Sequence, residues 1–568
     1  MSALAADRLQ AGFAHHRAGR LKEAAAAYKA VLIEDPTNPE GLHLMGTMAV
    51  QIGRHDVALD LLLRALRARP RFAKAHNDLG IAFDRLERLD EAASAFAAAI
   101  DCDPAFAEAH YNLATIYKKQ DKLRETLDCF ARALELRPDF FQAHNNLGNV
   151  LQTLGLVELA AERYQVALAL KPDSAEVHNN LGTVLQDSGD FRDAEAYYRQ
   201  ALALKPDYLE AHNNLAISLQ RQGRYREAEA AFRVALARKP DDGKIRHNLS
   251  ITLLAAGRFA EGWREYEYRW HSDALAGGRR GFPQPLWNGE APGDRVLLIH
   301  AEQGLGDTLQ FIRYAPLVAA RGIRTLIEAP QPLLRLVQAM AIPGATVVAT
   351  GTSLPPFDLH CPLLSLPRIF GTVLETIPGI VPYVAPDPAA VALWAERLGP
   401  GPELKVGLVW AGRRRPQTSA MMIDRRRSMS LAQLAPLAAC AGVRFYSLQK
   451  GEPAGQLAAS PGLDLVDVMD EMTDFADTAA LIANLDLVIS VDTSVAHLAG
   501  ALGTPVWLLN RYDTCWRWLL DRDDSPWYPS LRQFRQPAPG DWAAVMAEVR
   551  RALDARVAAL SLPLAANG

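Results

Sequence analysis

Seven prolines set the frame of the first half of the chain. Pro36, Pro70, Pro104, Pro138, Pro172, Pro206 and Pro240 stand 34 residues apart. Gly46, Gly80, Ala114, Gly148, Gly182, Ala216 and Ser250 keep the same interval. Between them recur small residues (Ala58, Ala92, Ala160, Ala194, Ala228) and bulky ones (Phe96, Phe130, Tyr164, Tyr198, Phe232). A fixed period of this length means a repeated supersecondary unit rather than one continuous core. Two antiparallel helices per unit satisfy the pattern. Small residues sit where the helices cross closely, and rings fill the remaining gap. Proline stops the second helix because it lacks an N–H and clashes with the preceding turn. One unit cannot bury its own apolar face, so the units stack into a superhelix with a concave groove.

The pattern resembles the tetratricopeptide repeat, with seven units ending in an in-phase proline and a modified eighth after them. Asn112, Asn146, Asn180, Asn214 and Asn248 hold one place in the first helix of successive units, and Asp78 holds it earlier. Asn in a helix interior loses about half a kcal/mol against Ala, so five in phase call for compensating hydrogen bonds. The units also resemble those of eukaryotic O-GlcNAc transferases. That resemblance implies an asparagine ladder that lines the groove and holds a peptide backbone. An amide carries both donor and acceptor and suits the task. The alternative is that the amides bond to the neighbouring repeat. His76, His110, His144, His178 and His212 recur too. Metal ligands must converge on one point, whereas this period spreads them over successive units, so a structural role is expected.

The chain has 568 residues and a net charge of −4, which gives no global reason to expect nucleic acid. Its five cysteines are scattered without a C-x-x-C pair and read as reduced thiols, not a disulfide framework or zinc site. "MSALAADRLQAGFAHHRAGR" has no long apolar core of a secretory signal. No apolar run reaches the roughly 18 residues of a membrane helix. A cytoplasmic location is expected.

The array ends in "GRFAEGWREYEYRW" (257–270), in phase but aromatic and charged. A terminal repeat normally turns polar to cap the stack, so this one is expected to dock onto the second half. A Gly/Pro/Arg-rich connector follows at 272–294. From Arg295 onward, apolar runs alternate with helical patterns, which predicts parallel sheets. "RVLLIH", "IRTLIEA", "ATVVAT" and "FDLHCPLLSLP" belong to one α/β unit. "LKVGLVWAG", "VRFYSLQKG", "LDLVISV" and "GTPVWLLN" belong to a second. A last helix, "DWAAVMAEVRRALDARVAAL", can pack against either. Two such Rossmann-like units facing a cleft make the GT-B plan, with ligands at the carboxyl ends of the strands.

Two stretches carry chemistry. "HAEQGLGDTLQFIRY" (300–314) follows a strand and has Gly304 and Gly306, but Leu309 stands where a dinucleotide fingerprint needs its third glycine. Asp307 is either the cap of its own helix or a free acid at a cleft. "VISVDTSVAHLAGALGTPVWLL" (488–509) is a buried strand ending at Asp492, then a helix that Thr493 or Ser494 can cap and Gly503 ends. Free N–H groups and the helix dipole make its start an anion site; the alternative is an ordinary capped helix.

Together these stretches resemble family 9 glycosyltransferases, the lipopolysaccharide heptosyltransferases. More closely, the chain resembles bacterial proteins that fuse tetratricopeptide repeats to such a domain, with "PLWNGE", "LLSLP", "VGLVWAG", "SLQKG", "DFADTAALI" and "DRDDSPWYPSLRQFRQ" included. The resemblance implies that Asp307 lies on the acceptor side facing the cleft, as candidate base. It implies that Asp492, Thr493, Ser494 and His497 hold the nucleotide diphosphate of the donor. The loop 413–428 carries six arginines, and its D-R-x-R-S ending offers Arg425 and Arg427 for phosphate contact. Arg413 stands where the fused proteins carry asparagine. Lys450 and Met472 lie on loops expected to border the nucleotide.

The expected architecture is thus α plus α/β: a repeat superhelix over 1–270, a linker over 271–293, a GT-B acceptor subdomain over 294–395, a donor subdomain over 396–535 and a C-terminal helix over 536–560. The expected function is inverting sugar transfer of hexosyl or heptosyl type (EC 2.4). It runs without metal or cofactor, from a nucleotide sugar to a protein or glycan recruited by the groove. No nucleic-acid partner and no membrane span are expected. A non-catalytic repeat scaffold with a vestigial nucleotide-sugar site is the alternative of another class; a nucleotide-sugar epimerase is a third.

Overall fold

The structure is a computed structural model that describes residues 3–272, 275–291, 293–413, 424–459 and 462–561. It divides into two compact units, 1–206 and 207–568.

The first unit holds twelve helices in successive pairs, from Ala3–Arg17 to Phe191–Leu204. Each second helix stops just short of its in-phase proline. Leu89–Cys102 precedes Pro104, and Leu123–Leu136 precedes Pro138. The intervening Asp103 and Arg137 are extended, at φ −142° and −140°, the conformation proline imposes on the residue before it. The small-residue positions are close approaches. A Cβ on Gly148 would lie 2.6 Å from the Tyr164 ring, and Tyr164 is fully buried. The recurring histidines have one structural task. The ring N–H of His76, His110, His144 and His178 donates to the carbonyl of Pro70, Pro104, Pro138 and Pro172, at 2.9 to 3.1 Å. Each ties the turn after a second helix to the helix that follows.

The second unit opens with four more helices, Leu209–Arg221, Tyr225–Arg238, Gly243–Ala255 and Phe259–Tyr266, and a 3-10 turn, Glu267–His271. The aromatic end of the array is interior. Trp263 is buried edge-on to Phe311 (5.9 Å) and to Trp516 (5.3 Å). Arg269, fully buried, makes a two-pronged pair with Glu302 at 2.8 and 3.0 Å and donates to Ser365.

Two parallel sheets follow. The first has β1 (Leu297–His300), β2 (Thr325–Ala329), β3 (Ala345–Ala349) and β4 (Leu359–Pro362), in the order β3-β2-β1-β4. The second has β5 (Leu404–Val409), β6 (Val443–Ser447), β7 (Leu465–Asp467), β8 (Leu487–Val491), β9 (Val506–Asn510) and β10 (Leu531–Arg535). Its order is β10-β9-β8-β5-β6-β7, all parallel. Strand order reverses between β1 and β4 and between β5 and β8. The crevices at those reversals, beyond the carboxyl ends, are where α/β sheets bind ligands.

The sequence reading did not anticipate β7 or β10. β7 has three residues, and "LRQFR" of β10 has only Leu531 and Phe534 as apolar positions, so neither shows a strong apolar run. The last helix, Trp542–Ser561, packs on the second sheet: Trp542, Met546 and Val549 share a core with Val406, Ile489 and Trp507. Arg313, 3 % exposed, joins the two sheets' surroundings by donating to the carbonyls of Pro378 and Trp527 and to the Tyr383 hydroxyl. Among the described residues no helix is long and apolar enough to cross a membrane.

Candidate functional site

The two chemistry-bearing stretches, some 185 residues apart in sequence, meet at the carboxyl ends of β1 and β8. The helix Leu305–Phe311 lies against the helix Ser494–Leu502. Gly306 makes this approach feasible, because a Cβ there would fall 2.8 Å from the His497 ring and 3.5 Å from Ser494 Cα. The second glycine of "GLGD" therefore serves contact between two helices. Leu309, where a dinucleotide motif has its third glycine, is fully buried core.

Asp307 is the third residue of its helix, not the N-cap; Gly304 holds that place. Its Oδ2 accepts the Gly304 N–H at 3.0 Å, and its Oδ1 is ion-paired with Arg517 from the loop after β9. Both oxygens of this mostly buried carboxylate are engaged. Arg517 also lies over the Trp516 ring at 4.3 Å.

Asp492 directly follows β8 and is ringed by nitrogen groups. His497 Nε2 lies 4.0 Å from its carboxylate, and Arg427 donates to its carbonyl at 3.2 Å. Burial disfavours the charged carboxylate. The His497 ring and the Arg427, Arg511 and Arg517 guanidinium groups outweigh that and hold the Asp492 carboxyl below the usual range. His497 is 4 % exposed, stacked on Trp518 at 5.0 Å and hydrogen-bonded to the Tyr528 hydroxyl at 2.9 Å. Burial pushes its pKa down to about 4, with Asp492 opposing, so the ring is neutral near pH 7.

Thr493 occupies the N-cap, but its hydroxyl does not cap the helix. It lies 3.0 Å from the Ser490 hydroxyl instead. The first N–H groups of Ser494–Leu502 thus face the ring around Asp492 without a side-chain cap, as an anion site requires.

The arginine loop contributes unevenly. Arg413 is exposed, and Arg414 and Arg415 lie outside the described residues. Arg425 is exposed. Arg427 pairs with Asp424 at 2.8 Å, and its buried Nε has no partner among the described residues. Arg426, which the sequence reading did not single out, reaches Asp513 at 3.3 Å. Lys450 and Met472 are joined to each other, the Lys450 ammonium donating to the Met472 carbonyl.

Four further residues enter only through the structure. Arg511, 8 % exposed, lies 3.3 Å from Asp513 and has a buried Nη1 without a partner among the described residues. Asp513 also takes Arg221, from the end of a repeat helix, at 2.8 Å. Arg511, Asp513 and Arg517 come from "RYDTCWRW" (511–518), directly after the carboxyl end of β9. That position, with its density of cations and rings, was the signal available in the sequence. Among the described residues no three His, Cys, Asp or Glu side chains converge as a metal site would require. A cavity lies elsewhere in the second unit. It measures about 1020 Å³ and is lined by Tyr225, Arg258, Tyr512 and Arg522 among others.

The asparagine ladder braces its own stack. Asn112, Asn146, Asn180 and Asn248 each donate to a residue 35 positions earlier: Asn77, the Tyr111 hydroxyl, Asn145 and Asn213, at 2.8 to 3.1 Å. Asn214 Oδ1 accepts from Asn213 at 3.3 Å. All five remain partly exposed.

Separate family descriptions match the two halves of the chain. Residues 43–105, 107–140, 141–207, 179–243 and 214–270 match tetratricopeptide repeats. Residues 440–519 match glycosyltransferase family 9 (heptosyltransferase). Protein FlbA of Caulobacter vibrioides is 30 % identical over 319 residues, 52 % of each chain; the chain spans about half the length of that relative. Three solved structures resemble the chain. The Cut9–Hcn1 hetero-tetramer of APC/C is 19 % identical, with a TM-score of 0.35 over 44 % of this chain and 49 % of that one. YrrB, described as a TPR protein with an unusual peptide-binding site, is 20 % identical, with 0.31 over 33 % and 96 %. The type IV pilus biogenesis factor PilW is 20 % identical, with 0.35 over 37 % and 98 %. The chain is therefore a series of tetratricopeptide repeats followed by a two-sheet α/β region of GT-B type whose second sheet carries a glycosyltransferase family 9 match.

Proposed function

We propose that the chain transfers a sugar from a nucleotide sugar to a protein or glycan acceptor that the repeats recruit, without metal or cofactor and with inversion. The observation that carries this reading is the meeting of Asp307 with the uncapped helix start and cationic ring at Asp492. An inverting transfer needs a base beside the acceptor hydroxyl and positive charge beside the departing diphosphate. The bond from the anomeric carbon to the phosphate oxygen breaks, and its electron pair leaves with the nucleoside diphosphate. The acceptor oxygen bonds that carbon from the opposite face, and its proton passes to Asp307. On this reading Ser494, Thr493 and Arg427 serve the diphosphate. His497 shapes the floor beneath it as a neutral ring, and Lys450 and Met472 border the nucleoside. The partly exposed amides of Asn112, Asn146, Asn180 and Asn248 offer their oxygens to a peptide in the groove while their NH2 groups brace the stack.

Replacing Asp307 by Asn tests the base. Transfer is expected to fall by at least about 10³-fold, within the range for removing a general base and its charge, with donor binding retained. Turnover at the parent rate would refute the assignment. The non-catalytic scaffold reading draws on one observation, that both Asp307 oxygens are already engaged.

A further inference from the structure

The Asp307–Arg517 pair raises a physical problem for any base at this position. With Oδ2 taken by the Gly304 N–H and Oδ1 by the Arg517 guanidinium, neither oxygen is open to a substrate hydroxyl. Yet this arginine comes from the loop after β9, on the sheet that carries the anion site, and crosses to the helix of the other sheet. Arg517 is 12 % exposed at its side chain and Asp307 17 %, so both are largely out of water, where exchange of one anion for another is a strong effect. The same loop and its partners hold cationic capacity that the protein's own groups leave unused. Among the described residues, Arg511 Nη1 and Arg427 Nε are buried N–H donors without acceptors.

We propose that Arg517 is an exchangeable charge: it neutralises Asp307 in the free protein and moves to the diphosphate when a nucleotide sugar binds, which frees Asp307 to act as base. This rests on the donor reading above. A diphosphate at the start of Ser494–Leu502 carries more charge than one carboxylate and offers oxygens suited to a planar guanidinium. Arg511 Nη1 and Arg427 Nε find their missing acceptors in the same event. The device makes base activation conditional on donor occupancy, so that the acceptor hydroxyl is deprotonated only when a sugar is in place. Arg517 is thus a positioning residue for Asp307 and a ligand for the donor.

Calorimetric titration of the full chain with ADP, GDP, UDP and TDP tests this, with thermal unfolding run on each variant. Taking whichever nucleotide the parent binds, R517Q is expected to weaken affinity by about 30-fold, the scale of a lost charge-assisted contact. D307N is expected to tighten it by about tenfold, because Arg517 no longer has a competing carboxylate. The double variant is expected to bind as R517Q does, since Asp307 acts on the nucleotide only through Arg517. Should R517Q not fold, R517K carries the comparison, with a loss of about tenfold expected. Unchanged affinity in R517Q or R517K, or in D307N, would overturn the exchange and leave the donor reading standing. Failure of the parent chain to bind any of the four nucleotides would overturn the donor reading and the exchange with it.

Discussion

At the scale of single residues, the site is governed by groups whose charge is set by burial. His300 at the end of β1 is 1 % exposed, and its ring lies 3.3 Å from His360. Burial, with His360 and Arg280 adding to it, pushes its pKa down to about 3 from an ordinary value of 6.5. His247 and His497 are pushed down to about 4. Between those values and 6.5 the unfolded chain binds more protons than the folded one, so stability rises with pH. Their contribution is complete above about 6.5 and is lost as pH falls toward the folded-state values. Replacing His300 by Gln removes one such group. The variant's stability, from urea unfolding at pH 7, 6, 5 and 4.5, is expected to fall less steeply on acidification than the parent's. Parallel curves would show that His300 is not buried neutral. The residue scale is also where the sequence was least legible. Asp307, Asp492 and His497 stood out because a strand-to-helix turn frames each. Arg511, Asp513 and Arg517 sit in an irregular loop, and nothing in their spacing reveals that one arginine crosses to a carboxylate 210 positions away.

At the scale of elements, the repeats were legible almost to the residue, because one packing solution recurs with one period. Proline, glycine and aromatic ring each have a single steric task, so their positions map directly onto helix ends and crossings. The asparagines show the limit of that logic. Periodicity places them on one face, but whether an amide turns to its neighbour or to a ligand depends on a rotamer the period does not encode. The structure turns the NH2 groups of Asn112, Asn146, Asn180 and Asn248 to the preceding repeat. Asn146→Ala is therefore expected to destabilise the repeats by about 0.5–1.5 kcal/mol, one net hydrogen bond. Gly148→Ala, which drives a methyl into the Tyr164 ring, is expected to cost about 1–3 kcal/mol. Denaturant unfolding measures both. A stability change near zero for Asn146→Ala would mean that the amide bond to Tyr111 is not maintained in solution. For Gly148→Ala it would mean that the ring yields without strain.

At the scale of the whole molecule, the repeat period and the alternating patterns predicted α followed by α/β, and the described residues form sixteen repeat helices ahead of two parallel sheets. The reading that the aromatic terminal repeat docks onto the second half is met by Trp263, buried between Phe311 and Trp516. The last repeats and the sheets thus share one core. Trp263→Ala is expected to destabilise the second unit by about 3–5 kcal/mol, the range for emptying a buried aromatic site, and to leave the unfolding of residues 1–206 unchanged. Hydrogen exchange resolved along the chain separates the two. Equal loss of protection in both units would contradict the division between them.

The central claim is that the meeting of Asp307 with the cationic ring at Asp492 is a sugar-transfer site. The most direct measurement is release of nucleoside diphosphate from ADP-, GDP-, UDP- and TDP-sugars by the purified full chain, compared with Asp307→Asn. Release by the parent from at least one donor, falling by about 10³-fold or more in the variant, is the expected result. No release from any donor, or equal release by parent and variant, would contradict it.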